Sequence, residues 1–382
     1  RAIARLGSEA SAALPEVLRL LEDEDWEVRL AAVGTIGRIG RGDPGVAERL
    51  AALLSDDRIE EDVLEAIGAL GETSYPLLAR FESDPDPDRR IQAIQIAARF
   101  PDEMEEVGTE RILAIARDPA PEVRRAAIDA LSSLSGRTES PRLVQAFACA
   151  LADADSGVRK DASFAISYVD AEPAEVAALV LAELPRAGEE ARQTIQGVLA
   201  EKAEGAAGPL LESLGSGDAG VRIAAALALW EADVDPSDRV DALARLARQA
   251  GSVEERRAAS FALGRCRREA EKAVAALGDA LRSRDSGTAQ AAASSLGLLA
   301  AGVPAAQASL LEALRDPNDL LRAAAVESIG RFSAPPRIED LDGLALDDDD
   351  LEAIRRCRPG ACGVKLSAPE IAHLQRTIAD GG

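Results

Sequence analysis

Small and large apolar residues alternate along this chain in a pattern that restarts about every 33 residues. Each cycle can be counted from one position, occupied in turn by Arg29, Glu60, Arg90, Arg124, Arg159, Arg192, Arg222, Arg256, Ala289 and Arg322, arginine in eight of the ten. Three places later stands alanine (Ala32, Ala93, Ala127, Ala162, Ala225, Ala259, Ala292, Ala325). Four places beyond that comes a large aliphatic such as Ile36, Ile67, Leu131, Ile166, Leu229 or Ile329. Ile39, Leu70, Leu134 and Val169 follow after three more. Steps of three and four put these residues on one face of an α-helix, so each cycle predicts a helix with a single buried stripe. Another helical segment precedes it, typified by "ESPRLVQAFACALAD" (139–153) ahead of "SGVRKDASFAISYV" (156–169). The turn between the two is rich in Asp, Gly, Pro and Ser, as in "DPDPD" (84–88), "DPAP" (118–121) and "DPND" (316–319). Its acids and serines can accept from the free N–H groups that open the second helix, and proline is tolerated only there.

Composition supports helices packed closely. Hydrophobic residues make up 47% of the 382 residues but aromatics only 3%, so alanine and leucine do the packing. The chain holds 44 basic against 67 acidic residues, a net charge of −23. Such a surface repels phosphate backbones, which disfavours a nucleic-acid partner. No apolar run approaches the length of a membrane span, so a membrane partner is not expected either. The chain opens on Arg1 and reads as a trimmed fragment. Its four cysteines (Cys149, Cys266, Cys357, Cys362) are too few for a disulfide framework.

Segments such as "DWEVRLAAVGTIG" (25–37) and "DPNDLLRAAAVESIG" (316–330) resemble HEAT-like repeats, in particular the short-repeat class named for the phycobilisome lyases. The resemblance spans residues 1–332, some ten helix pairs after a partial one, with weaker units around Glu60, Arg192 and Ala289. It implies an all-α, right-handed α-solenoid of the armadillo type, followed at 333–382 by an acidic linker and a C-terminal extension. It also implies that turn aspartates and the recurring arginines form a hydrogen-bonded ladder between neighbouring repeats. The aspartates expected in that ladder are Asp25, Asp118 and Asp153; the arginines are Arg29, Arg90, Arg124, Arg159, Arg192, Arg222, Arg256 and Arg322. The arginine thus reads as scaffold.

Enzymatic readings find little to stand on. Hydrolases that use serine, cysteine or a metal generally want histidine as base or ligand, and the chain has one, His373. No catalytic residue, metal or cofactor is therefore assigned. A solenoid instead offers a long wall, which the resemblance places along the second helices. At 100° per residue, positions one, five, eight and nine after the arginine point away from the buried stripe. Phe164, Leu227 and Phe261 stand at position five, Trp230 at position eight, and Tyr168 at position nine. They are the candidate partner-binding residues, against the alternative that neighbouring second helices cover them. The expected function is a non-catalytic scaffold or adaptor that binds another protein or peptide of basic and apolar character. An accessory subunit of a lyase-type enzyme assembly is the alternative.

The tail breaks the period. Asp347–Asp350 precede "LEAIRRC" and read as a helix cap with first-turn acids rather than a calcium loop, which wants alternating acids. "CRPGAC" holds Cys357 and Cys362 across a Pro-Gly turn. Free thiols, a disulfide and a metal site are all open for that pair, and a disulfide would favour an exported protein over a cytoplasmic one.

Overall fold

The computed structural model describes residues 12–43, 45–134, 141–231, 235–300 and 303–329. Those residues form twenty α-helices joined by short turns and 3-10 segments, with no strand among them. They fall into two compact units, one ending at Ala171 and the other beginning at Glu172. The first contains α1 (Leu14–Arg19), α2 (Trp26–Ile39), α3 (Val46–Ala51), α4 (Glu60–Ala69), α5 (Tyr75–Glu82), α6 (Pro87–Ala97), α7 (Glu105–Ile115), α8 (Pro121–Leu134), α9 (Pro141–Leu151) and α10 (Ser156–Tyr168). The second contains α11 (Pro173–Glu183), α12 (Glu189–Lys202), α13 (Ala207–Ser213), α14 (Ala219–Glu231), α15 (Val240–Gln249), α16 (Val253–Leu263), α17 (Ala270–Leu281), α18 (Ser286–Leu299), α19 (Pro304–Ala313) and α20 (Asp319–Ile329).

Odd-numbered helices are the first of each repeat and even-numbered helices the second. Turn residues start the second helices by taking their orphan N–H groups. Asp25 accepts from the Glu27 N–H at 2.9 Å, Asp86 from Asp88 at 3.0 Å, and Asp155 from Val158 at 3.0 Å. In the second unit Asp218, Ser252 and Asp285 do the same for α14, α16 and α18. Each cap of this kind contributes about 1 kcal/mol.

The stripe three and seven places after the arginine is buried throughout. Ala32, Ala127 and Ala259 are shielded from water, as are Ile36, Leu131, Ile166, Leu229 and Ile329. Val169, which follows the last residue of α10, is only half-buried. A further buried row lies six places after the arginine, at Thr35, Ala66, Ile96, Ala165, Val198, Ala228, Ala262, Ser295 and Ser328. It exists because successive second helices also pack side by side: α2 on α4, α4 on α6 and α6 on α8, then α14 on α16, α16 on α18 and α18 on α20.

Glycine eight places after the arginine makes that side-by-side contact close. A Cβ on Gly37 would lie 3.0 Å from the Ala66 Cα, and one on Gly68 would lie 2.7 Å from the Arg99 Cβ and 2.8 Å from its carbonyl oxygen. Gly264 meets Ser295 and Gly297 meets Ser328 in the same way. Gly34, on the open side of α2, has nothing within 4 Å of such a Cβ.

These contacts predict opposite effects of the same substitution. Gly68→Ala should destabilise the protein by about 1–3 kcal/mol because α4 and α6 must separate. Gly34→Ala should be neutral or stabilising by up to about 1 kcal/mol through helix propensity. Urea unfolding of the two variants checks this; equal midpoints would show that the helix contact tolerates a methyl group.

Candidate partner-binding site

The recurring arginine is fixed first by its own turn. Arg29, Arg90, Arg124, Arg159, Arg222, Arg256 and Arg322 each donate through Nη1 to the carbonyl oxygen six residues back, at 2.5–2.9 Å. Arg192 donates instead to the Ala187 carbonyl at 3.1 Å. The rest of the guanidinium then reaches forward to the next repeat. Arg90 forms two bonds to the Asp118 carboxylate, at 2.7 and 2.9 Å, and Arg124 forms two to Asp153, both at 2.7 Å. Asp118 and Asp153 hold their own turns too, accepting the Ala120 and Asp155 N–H groups. Each of these aspartates therefore takes one arginine on its carboxylate and the next on its carbonyl, which chains Arg90, Asp118, Arg124, Asp153 and Arg159 together.

Two further receivers were not foreseen from sequence. Arg29 reaches Asp56 at 2.5 Å, and Arg222 reaches Glu255 at 2.5 Å, whose side chain is 4% exposed. A carboxylate 27–33 residues after a repeat arginine is the signal that marks them. Asp25, expected in the ladder, is not in it. It lies four residues before Arg29, where its carboxylate caps α2, while the ladder position six before the arginine belongs to Asp23. Arg192 and Arg256 donate to carbonyl groups of their own turns.

The charges respond as this geometry requires. Burial pushes the Asp118 pKa up, but hydrogen bonds from Arg90 and the Ala120 N–H, with the charges of Arg90 and Arg124, bring it below the ordinary carboxylate value. Hydrogen bonds from Arg58, then Arg29, hold Asp56 at about 2. Among the first helices, ion pairs link repeats on the surface: Arg80 with Glu48 at 2.8 Å, Arg111 with Glu82 at 2.6 Å, and Arg142 with Glu110. Between α7 and α9 these helices leave an open cleft of about 710 Å³ floored by Leu113, Ala114, Ala146 and Ala150 beside Cys149. Two of its three arginines, Arg124 and Arg142, are already paired, and the third is Arg117.

The five candidate partner residues separate. Phe164 and Tyr168, one turn apart on α10, are 62% and 73% exposed, with ring centroids 4.6 Å apart. Trp230 and Phe261 are each 4% exposed, their tilted rings 5.1 Å apart in a cluster with Ala291, and Leu227 packs half-buried against them. The expectation that Trp230 and Phe261 stand on an open face is therefore corrected. Position eight faces the next second helix, not solvent. Most repeats place a small residue there; α14 places Trp230, which fills the seam and covers Phe261 on α16. Arg265 closes the cluster, its Nε donating to the Trp230 carbonyl at 3.0 Å and its guanidinium 5.8 Å from the indole.

Cys266 is buried, which pushes its thiol up to about 12, so it behaves as a small apolar residue. Cys357, Cys362, His373 and the acidic run Asp347–Asp350 lie outside the described residues. Among those described, no group of three or more His, Cys, Asp or Glu could hold a metal ion, and no helix is long and apolar enough to cross a membrane.

Stacked helix pairs of this kind define an α-solenoid repeat protein. The chain belongs to the HEAT-repeat family, whose model matches residues 1–71, 74–167, 240–328 and 276–357. Among solved structures it is similar to Kap121p bound to Ste12p, with TM-score 0.55 and 14% identity over 99% of this chain and 48% of that one. It is likewise similar to Kap121p bound to Nup53p, with TM-score 0.54 and 13% identity over 99% of this chain and 48% of that one. At these identities the likeness is one of fold, and the chain spans about half the length of those structures. The curated proteins contain no match.

Two predictions rest on this geometry. Arg124→Ala strands the Asp153 carboxylate and the Asp118 carbonyl in a partly buried setting and should cost about 1–3 kcal/mol. Arg125→Ala, which removes an exposed pair with Asp161, should leave the unfolding midpoint nearly unchanged. Hydrogen exchange should rise around 118–160 in the first variant only. The ladder should also be acid-sensitive: a carboxylate depressed in the folded state, as Asp118 is, adds stability above its unfolded pKa, about 4, and loses it as pH falls through the folded value. The second prediction concerns Trp230→Ala, which should destabilise by about 3–5 kcal/mol as a core truncation. A loss under about 1 kcal/mol in denaturant unfolding would return Trp230 to the surface.

Proposed function

We propose that this protein is a non-catalytic scaffold of the short-repeat HEAT class that binds another protein through the second-helix side of its first compact unit. Phe164 and Tyr168 carry the reading. Position five holds Gly34, Glu65, Gln95 and Asp129 in the preceding repeats, and position nine holds Arg38, Ala69, Arg99 and Ser133. Those residues suit a solvated face. The α10 repeat replaces both with aromatics and leaves them in water, although the chain is only 3% aromatic and buries Phe81, Phe147, Trp230 and Phe261. Exposed aromatics grouped in this way are what protein interfaces use as anchors. The ladder contributes rigidity: repeats fixed to each other present the anchor without a large ordering cost on binding.

A photo-crosslinking residue at position 168 tests the reading in the source cell. It should give a discrete protein adduct that position 212, on α13, does not give, and Phe164→Ala should abolish the adduct while changing stability by less than about 1 kcal/mol. Identical adduct patterns from the two positions would remove the reading.

A further inference from the structure

Resting on that reading, we propose that the Phe164–Tyr168 pair receives a cationic side chain, an arginine or lysine presented in an extended segment of the partner. Three of the other aromatic rings are met by an arginine from within the protein. The Arg111 guanidinium lies 4.6 Å from the Tyr75 ring centroid, Arg89 lies 5.2 Å from Phe81, and Arg265 lies 5.8 Å from Trp230. Each of these three rings has an arginine over it from within the protein. No cation of the described residues lies over Phe164 or Tyr168, whose rings are the most exposed of the large apolar side chains. The two tilted rings touch, with centroids 4.6 Å apart, and together offer an exposed π-surface that attracts a cation through its negative faces.

The surroundings add negative potential at one end. Tyr168 is the last residue of α10, so it stands where the helix dipole and the final carbonyl groups favour a positive charge. Asp170 follows two residues later and is exposed. Asp129, also exposed, occupies on the adjacent α8 the same repeat position that Phe164 occupies on α10, and α8 and α10 are joined by the Arg125–Asp161 pair at 2.8 Å. Lys160 lies one turn before Phe164, so the incoming cation is directed to the Tyr168 end. The net charge of −23 draws such a partner in, and the ring pair fixes where it docks.

The protein has two tyrosines, Tyr75 and Tyr168, which makes the test direct. With 3-fluorotyrosine in both places, a peptide of alternating arginine and glycine is titrated against the full chain and followed by ¹⁹F resonance. The Tyr168 signal should shift and saturate, while the Tyr75 signal, already facing Arg111, should stay. Phe164→Ala leaves the net charge unchanged, so it separates ring recognition from general attraction; it should weaken binding about fivefold or more. Asp129→Asn with Asp170→Asn should weaken it as well. A Tyr168 signal that does not saturate, or saturates with equal affinity in Phe164→Ala, overturns the proposal. A peptide with leucine in place of arginine distinguishes the two failures: if it alone saturates the Tyr168 signal, the cation is wrong and the docking reading stands. Failure of the docking reading is seen in the crosslinking experiment.

Discussion

The guanidinium of the repeat arginine meets two demands with one planar group. One edge closes its own turn by donating to a carbonyl six residues back, and the other reaches a carboxylate of the next repeat. Taking both charges partly out of water costs several kcal/mol unless every donor and acceptor is matched. Here they are matched: the bidentate bond uses both carboxylate oxygens, and the turn N–H and C=O groups take what remains. Lysine could not substitute, because a point charge lacks the fork that spans carbonyl and carboxylate together. Solenoid stability is a sum over neighbours, so this clamp acts once per junction where a carboxylate is present to receive it.

Side-by-side packing of the second helices accompanies the clamp at some junctions and does without it at others. Across the Arg29–Asp56 clamp, α2 approaches α4 closely enough that Gly37 faces the Ala66 backbone, while α16 approaches α18 as closely, Gly264 facing Ser295, although Arg256 stays with its own turn. Apolar burial supplies most of the free energy, at about 25 cal/mol per Å². Small residues decide how near the helices come. Trp230 is the informative departure, a large ring in a row of small ones. The seam accommodates it by stacking it on Phe261 and covering it with Arg265.

Charge is distributed with the same economy. Arg80, Arg111 and Arg142 on the first helices pair with acids of the adjacent repeat, and Arg90 and Arg124 on the second helices feed the ladder, while acids outnumber bases by 67 to 44 over the chain. Against that background the aromatic pair on α10 stands out as a place where neither the apolar core nor an internal cation has covered a ring. The scaffold reading and the proposed cation both follow from this exposed pair, the two most exposed large apolar side chains among the described residues.

Periodicity alone determined the helix pairs, the capping turns and the buried stripe at positions three and seven, because those depend on residues close in sequence and on a 100° step per residue. The resemblance to HEAT-like repeats, rather than the period itself, implied that the arginine is part of the scaffold. Which carboxylate each arginine would meet lay beyond it, since Asp56 rather than Asp25 receives Arg29, and that pairing is set by how far one repeat advances over the next. The same holds for the aromatics. Phe164 and Phe261 occupy identical repeat positions, yet one is 62% exposed and the other 4%. A lone helix cannot tell them apart. The neighbour decides: Trp230 reaches across from α14 to bury Phe261, and no residue described here does that for Phe164.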